Sequence, residues 1–218
     1  MSGFKDNAAV WIVGAGSLAP EDLCFEKPAG DLIIAADAGY ERLREAGIRP
    51  DLLIGDFDSM ERPDYDGEVI VLPVVKDDTD TAFAVKEGLR RGYRQFVIFG
   101  GLGGKRLSHT IANIQLLTYL RTKHAFGELR FGETRVTLLV QGDECRFGAA
   151  ERATLSLLSV SDRAVVDLRG LYYAGEQIVI RKSFPLGVSN HLTGREASIT
   201  VERGKVLLIR EAEDGAVR

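Results

Sequence analysis

The feature that most constrains the fold of this chain is a change of periodicity near residue 126 of 218. Before it, short apolar runs alternate with stretches of helical spacing. Strand-like runs lie at 8–13, 31–36, 51–54, 68–72 and 95–99, and helical spacing at 39–46, 79–91 and 108–123. In the last stretch Ile111, Ile114, Leu117 and Leu120 fall on one i, i+3 row. Gly47 and Gly92 close the first two helices. Strands alternating with helices predict an α/β domain, a mostly parallel sheet with helices on both faces. Past Gly127 the helical spacing stops. Short β-rich segments at 135–140, 153–160, 164–168, 177–180, 197–201 and 206–209 remain, punctuated by Gly, Asp, Asn and Ser. They predict an all-β sandwich, with Glu202-Arg203-Gly204-Lys205 as the hairpin turn between the last two strands. The expected domains are thus 1–126, α/β, and 127–218, all-β.

Composition narrows the class. A hydrophobic content of 45% is ample for real cores in both parts. No apolar run approaches the roughly 20 residues needed to span a membrane. The N-terminal stretch MSGFKDNAAV lacks the basic and apolar segments of a signal peptide, which makes the cytoplasm the expected location. Cys24 and Cys145 lie far apart, match no metal spacing and are expected as reduced thiols. A net charge of −4 and dispersed basic residues argue against nucleic acid as a partner.

The chemistry gathers where predicted strands end, the edge at which open α/β sheets bind ligands. Asp37 follows the second strand, and Asp56 and Asp58 follow the third. Asp77, Thr79 and Asp80 follow the fourth, and the loop GGLGGKRLSH (100–109) follows the fifth. On an extended backbone Asp56 and Asp58 point the same way, and two crowded carboxylates call for a cation. Mg²⁺ takes oxygen ligands and keeps room for water and phosphate. Asp80 or Asp77 would add a further ligand. Gly103 and Gly104 let backbone N–H groups approach phosphate, the helix starting near Ser108 adds its positive end, and Lys105 and Arg106 add formal charge. Carboxylates for a metal and a basic glycine loop for phosphates together describe a metal–nucleotide site. Taken singly, each piece has a plainer explanation: a solvated turn for Asp56-x-Asp58, a capping box for Asp77-x-x-Asp80, an N-cap for Ser108. Gly14-x-Gly16 lacks the third glycine of the dinucleotide fingerprint and reads as a tight turn.

The series ADAGYERLREAGIRPDLLIGDFDS (36–59), KDDTD (76–80) and GGLGGKRLSHTIANIQLL (100–117), with GLYY (170–173) and FPLGVSN (184–190), resembles the thiamine pyrophosphokinase family across nearly the whole chain. The resemblance implies transfer of a pyrophosphoryl group from ATP to the hydroxyl of thiamine, with Mg²⁺. It also implies a homodimer with thiamine held between subunits. Asp37, Asp56, Asp58 and Asp80 fall on the family's acidic positions, Asp56, Asp58 and Asp80 serving the metal. Asp77 begins its Asp-x-Thr-Asp pattern. Arg106, His109 and Asn113 fall on its loop and following helix, and Ser189 and Asn190 on a Ser-Asn pair expected near thiamine. Two positions depart. In the family's Gly-Gly-Arg-x-Asp-His loop, Lys105 stands for a glycine and Ser108 for the aspartate. Tyr173 stands where some members carry a tryptophan, and it retains the capacity to stack. The rival expectations are a pyrophosphokinase for another alcohol such as a pterin, an aspartyl phosphatase, and a non-catalytic nucleotide- or thiamine-binding protein.

Overall fold

Parallel strands buried on both faces need unbroken apolar runs, and the first half of the chain supplies them. The computed structural model describes residues 5–56, 65–73, 78–104 and 106–213. It divides into two units, Met1–Gly132 and Glu133–Arg218. The first contains, in chain order, β1 (Lys5–Val13), β2 (Leu32–Ala36), α1 (Gly39–Glu45), β3 (Leu52–Gly55), β4 (Glu68–Val71), α2 (Asp80–Arg90), β5 (Tyr93–Phe99), α3 (Leu107–Thr122) and β6 (Phe126–Phe131). Strands β2 and β3 are buried at every position.

The sheet of this unit runs β6-β5-β1-β2-β3-β4, with every pair parallel. Strands β1 to β4 spread to one side of β1. The chain then returns through α2 to place β5 and β6 on the other side. The topological switch point therefore lies between β1 and β5.

Register assigns the two faces. Val10, Ile12, Leu32, Ile34, Phe96 and Ile98 share one face, and Val13, Ile33, Ala35 and Phe99 the other. Helix α2 packs on the first: a Cβ on Gly88 would stand 2.7 Å from the Phe96 ring. Helix α3 packs there too, since a Cβ on Gly127 would stand 2.4 Å from Leu120. On the opposite face α1 contributes Leu43, but no helix links β1 to β2. Leu18, Leu23 and Phe25 of that connection pack on the core instead. Phe25 stacks on Trp11 with centroids 4.4 Å apart, and Arg130 lies over the Trp11 ring at 5.6 Å. Helices do cover both faces as expected, but non-helical chain completes one of them.

The second unit contains β7 (Thr134–Val140), β8 (Glu144–Phe147), β9 (Thr154–Ser159), β10 (Arg163–Arg169), β11 (Gly175–Arg181), β12 (Gly187–His191), β13 (Ala197–Arg203) and β14 (Lys205–Glu211). All its strand pairs are antiparallel, in the orders β12-β9-β14-β7 and β11-β10-β13-β8. Leu155, Leu157, Val206 and Leu208 of one set bury against Val166, Leu168, Ile180, Ile199 and Val201 of the other in a single core. The expected hairpin at residues 202–205 is not one. Strand β13 pairs with β10 and β8, whereas β14 pairs with β7 and β9. Gly204, at φ 84, carries the chain from one set to the other beside Ser161.

Candidate functional site

The carboxyl ends of β1, β2, β3 and β5 are where the first unit places its polar chemistry. At the switch point the floor is backbone. The amide of Gly14 donates to Phe99 O at 2.9 Å, continuing the β1–β5 ladder past the last side chains. A Cβ on Gly16 would stand 2.2 Å from Gly100 O, and one on Gly100 2.6 Å from Gly14 O. Gly100 also sits at φ 67. Only paired glycines allow this approach of two loops. Gly103 and Gly104 continue alongside, their ideal Cβ positions 3.7 Å from Ser17 and from Gly16 respectively. Gly14-Ala15-Gly16 is thus part of the crevice. The sequence showed only a tight turn there, because the partner glycines lie far away in the chain.

Asp37 ends β2. Its amide donates to Ile54 O at 2.7 Å, extending the β2–β3 ladder by one residue. It holds φ 52, and its Oδ1 is buried. Asp56 follows β3 and is half-buried. Asp80 is the first residue of α2, where a carboxylate complements the helix dipole. The cap of α2 is Thr79, whose Oγ1 accepts from Ala82 N at 3.1 Å, so the capping explanation belongs to Thr79. Thr81 Oγ1 lies 3.4 Å from the ideal Cβ of Gly14, which brings the start of α2 against the end of β1. Asp78 pairs instead with Lys86 at 2.6 Å on the surface. Asp58, Asp77 and Lys105 lie outside the described residues.

Helix α3 starts at Leu107 with Arg106 as its N-cap residue, so Ser108 lies inside the first turn and is not the cap. Arg106 Nη1 stands 3.2 Å from His109 Nε2, and both are exposed. That contact has His109 accepting through Nε2. Asn113 is buried, and its Nδ2 donates to Gly101 O at 3.0 Å. One turn earlier, Thr110 Oγ1 donates to Gly103 O at 3.1 Å. No sequence signal singled out Thr110.

Among the described residues no three His, Cys, Asp or Glu side chains form a ready metal cage. An all-oxygen donor set of strand-end carboxylates still suits Mg²⁺, which takes one or two protein carboxylates and completes its shell with water and phosphate. The cysteines are both free thiols, and burial pushes the Cys145 thiol above its ordinary value.

In the second unit the expected thiamine contacts cluster locally. Asn190 is buried. Its Oδ1 accepts from Tyr173 N and its Nδ2 donates to Tyr173 O, both at 2.9 Å. Ser189 is exposed, holds φ 58, and donates its amide to Ser156 Oγ at 3.1 Å. Tyr173 is exposed and meets Tyr172 edge-on at 4.9 Å. Among the described residues of this unit, the exposed large apolar side chains, Tyr172, Tyr173, Phe184, Leu186 and Val188, fall between residues 172 and 188.

Comparison with known proteins adds independent findings. Residues 27–126 match the family model described as thiamin pyrophosphokinase, catalytic domain. The thiamine pyrophosphokinase of Bacillus subtilis (strain 168) is 28% identical over 189 residues, covering 84% of this chain and 88% of the relative. The crystal structure of a thiamin pyrophosphokinase from Geobacillus thermodenitrificans superposes with a TM-score of 0.82 at 26% identity, covering 96% of this chain and all of that one. That of the Bacillus subtilis enzyme superposes at 0.81 with 24% identity over 94% of this chain and 100% of that one, a likeness of fold. The acidic strand ends and the glycine loop lie within the stretch that matches this catalytic-domain model, and the chain is similar to thiamine pyrophosphokinases along most of its length.

Proposed function

We propose that this protein transfers the pyrophosphoryl group of ATP to the hydroxyl of thiamine, giving thiamine diphosphate and AMP. The observation that carries the reading is the meeting of acidic strand ends with a glycine-built loop at one switch point. The hydroxyl oxygen forms a bond to the β-phosphorus, the bond from that phosphorus to the α–β bridging oxygen breaks, and AMP leaves. The hydroxyl proton passes to a nearby carboxylate, Asp37 or Asp80. Phosphoryl transfer of this kind depends on positioning and on stabilising charge, with little need for a strong base.

Asp56, Asp58 and Asp80 would hold Mg²⁺, which supplies positive charge to the ATP oxygens. Lys105, Arg106 and the backbone of Gly103 and Gly104 would face the phosphates, with Asp77, Thr79, Ser108 and His109 around them. Tyr173 would stack on thiamine beside Ser189, with Asn190 holding the tyrosine in place. The working form would be a cytoplasmic homodimer. Incubation with ATP, Mg²⁺ and thiamine, read by mass spectrometry, should yield thiamine diphosphate and AMP together, and neither after chelation. AMP release only with another alcohol would overturn thiamine as acceptor. ATP binding with no transfer to any alcohol would overturn the enzymatic reading.

A further inference from the structure

We propose that Thr110 and Asn113 are positioning residues that set the polarity of the glycine loop, so that its N–H groups face the nucleotide. The proposal rests on the ATP-dependent reading above. It also moves Asn113 from a ligand contact to a residue acting through the loop.

Both side chains donate to loop carbonyls from one side: Asn113 Nδ2 to Gly101 O at 3.0 Å and Thr110 Oγ1 to Gly103 O at 3.1 Å. A trans peptide is planar, and its C=O and following N–H point in opposite directions. Tying the carbonyls of 101 and 103 to α3 therefore turns the N–H groups of Leu102 and Gly104 away from α3. Neither of those N–H groups has a backbone acceptor among the described residues. Gly104 lies beside Gly16, at the end of β1. Glycines at 103 and 104, with φ 68 and 95, have no backbone preference strong enough to hold one peptide orientation by themselves. Without the two donors, the peptides can flip and present carbonyl oxygens to a phosphate, which repels them. The spacing of three residues places both donors on one face of α3, about one turn apart.

The test is the pair Thr110→Val and Thr110→Ser, with Asn113→Asp as a second probe that keeps the side-chain shape and removes the donor. Each is assayed by ATP–Mg²⁺ calorimetry, steady-state kinetics and thermal melting. Thr110→Val should weaken ATP binding and raise KM for ATP about fivefold, the worth of one net hydrogen bond. KM for thiamine should stay within about twofold of its original value, and Thr110→Ser should restore ATP affinity. Asn113→Asp should weaken ATP binding more than Thr110→Val does. Unchanged ATP affinity in Thr110→Val, or no rescue by serine, would overturn the proposal. So would a parallel rise in both KM values together with a lower melting point. Wild-type protein that binds ATP yet makes no thiamine diphosphate would defeat the proposed reaction alone, and calorimetry on Thr110→Val would still decide the positioning role. Wild-type protein that does not bind ATP would overturn both.

Discussion

Asp37 occupies a backbone conformation that costs a non-glycine residue on the order of 1 kcal/mol, and it does so while extending a strand ladder. Strain of that kind persists where the surroundings hold it, and here they hold a carboxylate at the end of β2. Asp56 follows β3 and is half-buried, and its substitution tests the proposed metal set. Asp56→Asn should lower kcat by at least about 100-fold, in the range seen when a preorganised charge is deleted from a phosphoryl or oxyanion site. The melting temperature should stay within a few degrees. Near-normal turnover in that variant would remove Asp56 from the metal set. The place of Asp37 and Asp56 at strand ends was legible in the sequence, because each directly follows an apolar run, and those runs form β2 and β3. The role of Asn113 was not legible, since a buried amide tied to a loop carbonyl leaves no motif. Asn190 repeats that pattern: its amide grips both polar groups of the Tyr173 backbone.

At the scale of elements, α2 is fastened to the sheet by charge as well as by packing. Glu87, with a side chain only 6% exposed, pairs with Arg91 at 2.7 Å and with Arg90 at 2.7 Å. Arg91 reaches on to Glu68 of β4. Hydrogen bonds from Arg90 outweigh burial and hold the Glu87 carboxyl below its ordinary value. A depressed carboxyl contributes stability that is complete above its unfolded pKa, about 4.3, and is lost as pH falls through the lower folded value. Glu87→Gln should therefore cost about 1–3 kcal/mol at pH 7, since it leaves Arg91 without a charged partner on α2. The difference from the original protein should shrink by pH 3, as urea melts at the two pH values would show. An equal gap at both would refute the ionic origin. The helices and the central strands were legible from apolar period. Strand β6 was not, because Gly127, Glu128 and Arg130 interrupt its apolar run, although its register with β5 runs unbroken from Phe126 to Arg130. Gly204 misled for a related reason. A glycine between two strands signals a turn, but not whether the strands pair with each other.

Across the whole molecule, the chemistry is divided between two units. In the proposed reaction the first would hold the groups that face phosphate and the second Tyr173, Ser189 and Asn190. The second unit also leaves Tyr172, Phe184, Leu186 and Val188 exposed, with Leu186 at 57% and Phe184 at 62%. Exposed apolar side chains of that size, gathered in one stretch of chain, suit a surface that associates. Light scattering should give the mass of two chains, and Leu186→Asp should shift it toward one chain while leaving the melting profile of the separate molecule intact. A monomeric original protein would refute the homodimer. The backbone seam where Gly14 and Gly16 meet Gly100 has a further consequence. A floor made of main chain offers evolution nothing to substitute. A side chain at Gly16 or Gly100 collides with the facing loop, so drift in sequence cannot retune that surface by degrees. Adaptation to a new acceptor or nucleotide is confined to positions outside the seam, and the seam is inherited whole or lost.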